Sequence, residues 1–171
     1  MQNKNIMLVY NAIESGIVAL ICFGAGFFVS ILLRDGQTQL DSLWCMLSGL
    51  VVLQWLAKNA ISIAKETIIG SMIGCVISAI VCYLIGYHYT SIFLSVSISI
   101  LVTGFVKYQR GIVTASVTAA GMAGFGMLNS DVIPQINSLM RAADTIIGVA
   151  LAVLVIIVSS WLKIRKDDQL V

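Results

Sequence analysis

Residues 64–74 read AKETIIGSMIG, and residues 142–152 read AADTIIGVALA. The same phrase, an acid, Thr-Ile-Ile-Gly and then small and apolar residues, occurs twice, 78 positions apart. Each copy opens a long apolar run, so its meaning depends on the solvent around those runs. The chain has 171 residues, 59% of them hydrophobic and 11% charged, with a mean hydropathy of +1.00. A soluble domain carries about 25% charged residues. A chain this apolar has too little polar surface to cover itself in water, and its solvent is a lipid bilayer.

Working outward, six apolar runs are expected as helices at 10–33, 41–57, 67–87, 90–106, 111–129 and 138–162. Each is about 17–25 residues long, enough to cross roughly 30 Å of hydrocarbon as a helix. Within lipid, every backbone N–H and C=O must be satisfied inside the segment, and the short alternating strands of a barrel are absent. The predicted fold is therefore all-α, a polytopic membrane protein with six transmembrane helices. The connections are short, so residues 1–171 read as a single transmembrane domain. The first run is too long for the apolar core of a cleaved leader and has no small-x-small site before Arg34.

Positive charge sets the orientation. With the N-terminus in the cytoplasm, the inner segments hold Lys4, Lys58, Lys65, Lys107, Arg110, Lys163, Arg165 and Lys166, and the outer ones only Arg34 and Arg141. This is a positive-inside bias, and both termini are expected in the cytoplasm, with the chain multi-pass in the inner (plasma) membrane. Tyr10, Trp55, Tyr108 and Trp161 then fall at the inner interface, and Trp44, Tyr87 and Tyr89 at the outer one. The net charge of +2 is a topology signal, and nucleic acid is not an expected partner.

In this frame the first phrase opens helix 3 from the cytoplasm and the second opens helix 6 from outside. Helices 1–3 and 4–6 thus read as two inverted three-helix repeats, a plan found in transporters whose site lies between the halves. Thr67, Gly70, Ser71, Gly74 and Ser78 share one face of helix 3, and Arg141, Asp144, Thr145, Gly148 and Ala152 share one face of helix 6. Gly70, Gly74 and Gly148 are expected to let helices pack closely. Ionisable residues in lipid normally face protein or water, so Arg141, Asp144 and Thr145 are candidate substrate or pathway residues, with Lys65 at the opposite mouth. Glu66 and Asp144 have a second reading, as acids in a first helical turn that favour the positive end of the helix dipole.

Helix 4 carries Ser91, Ser95, Ser99 and Thr103 at four-residue spacing, and helix 5 adds Thr114 and Thr118. Ser95 and Ser99 either line a wet path or bond back to their own helix carbonyls. Glu14 is either a proton-coupling candidate, as Asp144 is, or a plain interfacial acid. His88 stands alone in the outer turn. Cys22, Cys45, Cys75 and Cys82 fall inside apolar runs without C-x-x-C spacing and read as buried free thiols. No phosphate loop, zinc motif or nucleophile elbow is present. No catalytic residue, metal or cofactor is expected, and the chain does not read as an enzyme.

At this point the residues resemble a known family. Trp44-x-x-x-Ser48 followed by Val51-Val52-Leu53-Gln54 is similar to the second-helix signature of the fusaric-acid-resistance and aromatic-acid-exporter family. Gly70-Ser71-x-x-Gly74 resembles the Gly-Thr-x-x-Gly of its third helix, and Arg141-x-x-Asp144-Thr145-x-x-Gly148 the opening of its sixth. The resemblance spans helix 1 to helix 6. It implies an inner-membrane efflux module for aromatic or other organic carboxylates; plant malate channels are similar in their membrane part and work as dimers. Two departures stand out. Many members have a basic residue where this chain has Thr67, and larger members add cytoplasmic domains. A lone six-helix module suggests a homodimer or other homo-oligomer. The expected function is a transporter or channel for a small organic anion in the lipid bilayer; the alternative is a non-transporting scaffold or assembly subunit whose glycines and serines only pack.

Overall fold

The protein's structure, a computed structural model, describes residues 2–33, 38–53, 59–129 and 133–161. Arg34, Gln54, Trp55, Lys58, Lys163, Arg165 and Lys166, which the topology and motif arguments use, lie outside the described residues, as does the side chain of Lys4. The described chain forms six helices: α1 (Gln2–Leu33), α2 (Thr38–Leu53), α3 (Ala60–Ile85), α4 (Tyr89–Phe105), α5 (Gly111–Leu128) and α6 (Pro134–Trp161). Four of them, α1, α3, α5 and α6, are long and apolar enough to cross a membrane; α2 and α4 are shorter apolar helices.

Several helices begin earlier than hydropathy indicates. α3 starts at Ala60 rather than 67, and α6 at Pro134 rather than 138. An apolar run marks the hydrocarbon slab, whereas backbone hydrogen bonding continues into the interface, where Lys65 and Glu66 can be solvated. The single proline opens α6 at the first helical position, where a missing N–H costs nothing and its fixed φ suits a helix. Consequently neither Glu66 nor Asp144 lies in a first turn, and the helix-starter reading of both is corrected.

The two fully described turns have local causes. Between α3 and α4, Gly86 takes a left-handed φ of 84°, and Ser91 Oγ donates to its carbonyl at 2.5 Å. Tyr87 lies here, half-buried, and burial pushes its phenol pKa up, with Cys82 adding to the shift. After α4, Lys107 is left-handed (φ 64°); its N–H donates to the Gly104 carbonyl and that of Tyr108 to Thr103, at 3.0 and 3.3 Å. That is a Schellman close, with lysine where glycine is usual.

Burial is inverted relative to a soluble bundle. In α4 the only buried residues are Ser91, Ser95, Ser99 and Thr103, while Phe93 is 71% and Phe105 83% exposed. On α3, Thr67, Ser71 and Ser78 are buried and Met72, Val76, Ile80 and Leu84 are exposed. In water this distribution would oppose folding, since apolar surface drives burial. In lipid the apolar side chains face hydrocarbon and the hydroxyls face protein. The chain is a multi-pass membrane protein.

The chain divides into two compact units: Met1–Ala64 with Asp144–Val171, and Lys65–Ala143. The first contains α1, α2 and most of α6; the second contains α4, α5 and most of α3. Each unit thus takes its third helix from the opposite half of the chain.

Candidate functional site

In the second unit, α3 meets α5 main chain to main chain. A Cβ at Gly70 would overlap the carbonyl oxygen of Gly111, and one at Gly74 would lie 2.5 Å from the Ala115 oxygen. Glycine alone permits this approach. It brings Ser71 Oγ to 3.2 Å from Thr118 Oγ1 and lets Ser78 Oγ donate to the Ala119 carbonyl at 3.4 Å. At the near end, the half-buried Glu66 carboxylate accepts the Arg110 backbone N–H at 3.2 Å. Glu66 therefore caps the start of α5 rather than of its own helix, placing negative charge at that helix's positive end.

On α4 of the same unit, Thr103 Oγ1 bonds back to the Ser99 carbonyl at 2.7 Å. Ser95 and Ser99 hydroxyl oxygens are wholly buried and make no hydrogen bond. A buried hydroxyl without a partner is costly, so these two positions have donors to offer a bound water or solute. The two readings of the stripe therefore separate along α4: Thr103 follows the back-bonding one, and Ser95 and Ser99 do not. Asn137 on α6 is a further polar group of this unit that hydropathy reading missed; it is buried, and its Nδ2 makes no hydrogen bond. It lies one helical turn before Arg141, and that i, i+4 spacing is the signal that would have found it.

In the first unit, α6 crosses α2 in the same manner. A Cβ at Gly148 would overlap the Cys45 carbonyl and lie 3.2 Å from the Gly49 nitrogen. Asp144 and Thr145, one turn earlier, are 2% and 1% exposed, and Asp144 is within electrostatic reach of Cys45.

The charged candidates differ in setting. Arg141, which belongs to the second unit's stretch of α6, is 5% exposed, and both it and Asp144 retain interaction partners. Lys65 is exposed, Glu14 on α1 is half-buried, and His88 is exposed in its turn. The unequal burial of Arg141 and Lys65 was not legible from charge alone. Among the described residues, no group of three or more His, Cys, Asp or Glu side chains is placed to hold a metal. The buried polar candidates thus include a cation, hydroxyls and an amide, all on helices whose outer faces suit lipid.

The fusaric acid resistance protein-like family model matches residues 17–155. Comparisons with curated proteins and with solved structures gave no match.

Proposed function

Because the chain belongs to the fusaric acid resistance protein-like family of membrane transporter-type proteins, we propose that it is an inner-membrane module exporting aromatic or other organic carboxylates. The observation that carries this reading is the burial of Arg141 on a helix long and apolar enough to span a bilayer. Ionisable residues held at such places mark substrate and ion pathways. Arg141 attracts the carboxylate, Thr145, Ser95 and Ser99 offer hydroxyls, and Lys65 draws anions at the cytoplasmic mouth. Asp144 and Glu14 are the groups available to carry a coupling proton.

The proposed topology is six spans in two inverted repeats, with cytoplasmic termini and a homodimer as the working form. Burial supports the repeat. α1 buries Val18, Cys22, Gly26 and Ser30, and α4 buries Ser91, Ser95, Ser99 and Thr103, both at four-residue spacing. The repeated glycines also play matching parts: Gly70 of the third helix meets the carbonyl of Gly111 on the fifth, and Gly148 of the sixth meets that of Cys45 on the second. These tight crossings equally support the second reading, a scaffold whose small residues only pack.

Proteoliposomes containing the chain, loaded with a panel of aromatic and aliphatic carboxylates, test the proposal. Saturable flux of at least one carboxylate above empty vesicles is the expected result. Absence of flux across the panel, from protein that is folded and inserted, favours the scaffold. Reporter fusions after Val171 and at His88 should report opposite sides of the membrane, and light scattering in mild detergent should show a dimer.

A further inference from the structure

The part of α6 that belongs to the second unit runs from Pro134 to Ala143, and only two of its residues are buried, Asn137 and Arg141. They are 7% and 5% exposed, whereas Ile136 is 51% and Leu139 72% exposed. The inner face of these turns is therefore an amide and a guanidinium, and it contains no buried apolar residue. Four residues apart, the two share one side of the helix, with Cβ atoms about 5–6 Å from each other. A long helical side chain leans back over the turn before its own Cα, which for Arg141 is the turn that Asn137 occupies. Packing does not account for the amide. Its Nδ2 is buried and makes no hydrogen bond, a costly state that an apolar side chain of similar volume would avoid. Nor does Asn137 cap the helix: its own N–H bonds the Ile133 carbonyl at 3.1 Å, as an ordinary helical residue does. What the position has is positive potential. It lies in the first turn of a 28-residue helix, at the positive end of the dipole, and one turn before a buried cation. An anionic oxygen is the group that suits an amide N–H, a helix start and a guanidinium together.

We infer that Asn137 is a specificity-determining residue of the anion site, its amide donating to one oxygen of a carboxylate whose charge Arg141 attracts. The inference rests on the transport reading's assignment of a carboxylate to Arg141, and adds to it a second, uncharged donor. A guanidinium attracts any small anion by charge. An amide N–H adds direction, because a hydrogen bond weakens steeply when its angle closes. It favours an anion that presents a further oxygen to it over a spherical halide, which gains mainly from charge. The pair therefore selects carboxylates over chloride. The amide also keeps the site at a single positive side chain, so a bound monocarboxylate is neutralised without leaving a second buried cation to be compensated after release.

The test is equilibrium binding of benzoate and, separately, succinate to the purified full chain in a sugar-headed detergent, read by saturation-transfer NMR, with chloride as competitor. Wild type should bind at least one of the two carboxylates in preference to chloride. Asn137→Leu removes the donor at similar volume and should weaken carboxylate binding about ten- to a hundredfold, the worth of a hydrogen bond to a charged group, with little change for chloride. Its denaturant midpoint should stay level or rise, because a buried amide without a partner is gone. Asn137→Asp has the same shape but repels an anion and should weaken binding further, and Asn137→Ser keeps a donor and should fall between wild type and Asn137→Leu. Equal carboxylate binding by wild type and Asn137→Leu, a lower midpoint in Asn137→Leu, or no binding of either carboxylate to wild type would each overturn the inference. Displacement of the bound carboxylate by added phosphatidylglycerol more readily than by unlabelled carboxylate would assign the site to a lipid headgroup and overturn it too. Flux in proteoliposomes is read separately: binding that depends on Asn137 without flux keeps the site and removes the transport reading, and flux without that dependence does the reverse.

Discussion

Consider Gly70→Ala. The added methyl falls on the Gly111 carbonyl, with Gly111 C and Cα each 2.9 Å from it. These are main-chain atoms of α5, and no rotamer change moves them aside. Carbon atoms rest about 3.5–4.0 Å apart, so α3 and α5 must separate by roughly 1 Å. Overpacking of this kind costs about 1–3 kcal/mol, and a clash against backbone belongs at the upper end. The separation also stretches the 3.2 Å Ser71–Thr118 hydrogen bond, and such a bond between membrane helices averages about 0.6 kcal/mol. Alanine returns about 1 kcal/mol of helix propensity relative to glycine. The net effect is a destabilisation of about 2–3 kcal/mol. Gly24→Ala and Gly104→Ala are the internal controls. A Cβ at either meets nothing within 4 Å, so each keeps only the propensity gain and should be stabilised by up to about 1 kcal/mol. Denaturant unfolding followed by circular dichroism, all variants in one detergent, measures the difference. A Gly70→Ala variant as stable as wild type, or as stable as the controls, refutes the backbone contact between α3 and α5.

Gly148→Ala should destabilise the first unit by a similar amount, about 2 kcal/mol, because its methyl meets the Cys45 carbonyl; the same unfolding assay reads it. Lys107→Gly should raise stability by a few tenths to about 1 kcal/mol, since it relieves a left-handed non-glycine residue (φ 64°) at the close of α4; an unchanged or lower melting temperature would count against that account of the turn. Arg141→Ala should abolish or strongly reduce carboxylate flux in proteoliposomes while insertion and yield stay near wild type, and undiminished flux would remove Arg141 from the pathway. The Ser95→Ala/Ser99→Ala double variant should keep or gain stability, because it removes two buried hydroxyls without hydrogen bonds; lower flux with stability retained would assign those hydroxyls to the solute path, and unchanged flux would leave them as packing.

The sequence by itself determined the solvent and the elements. Hydropathy is a transfer free energy summed along the chain, and it is local, so six apolar runs became six helices without any knowledge of their neighbours. The repeated Thr-Ile-Ile-Gly phrase was likewise visible, and so was the family resemblance carried by Trp44, Gly70, Gly74, Arg141 and Asp144. The ends of α3 and α6 were not, because a hydrophobic run measures the thickness of hydrocarbon, while a helix ends where its backbone hydrogen bonds end. That difference moved Glu66 and Asp144 away from the first turn of their own helices. What only the tertiary structure decided was partnership. That Glu66 would cap α5, that Gly70 would rest on Gly111 and Gly148 on Cys45, that Ser95 and Ser99 would be left without the back-bond that Thr103 makes, and that Cys22 would lie against Gly49 all depend on which helices cross and at what height. In lipid every helix has an apolar outer face, so hydropathy cannot choose among crossings. The choice falls to small residues that let two backbones touch; their spacing marks the contact face of each helix, but not which helix will meet it.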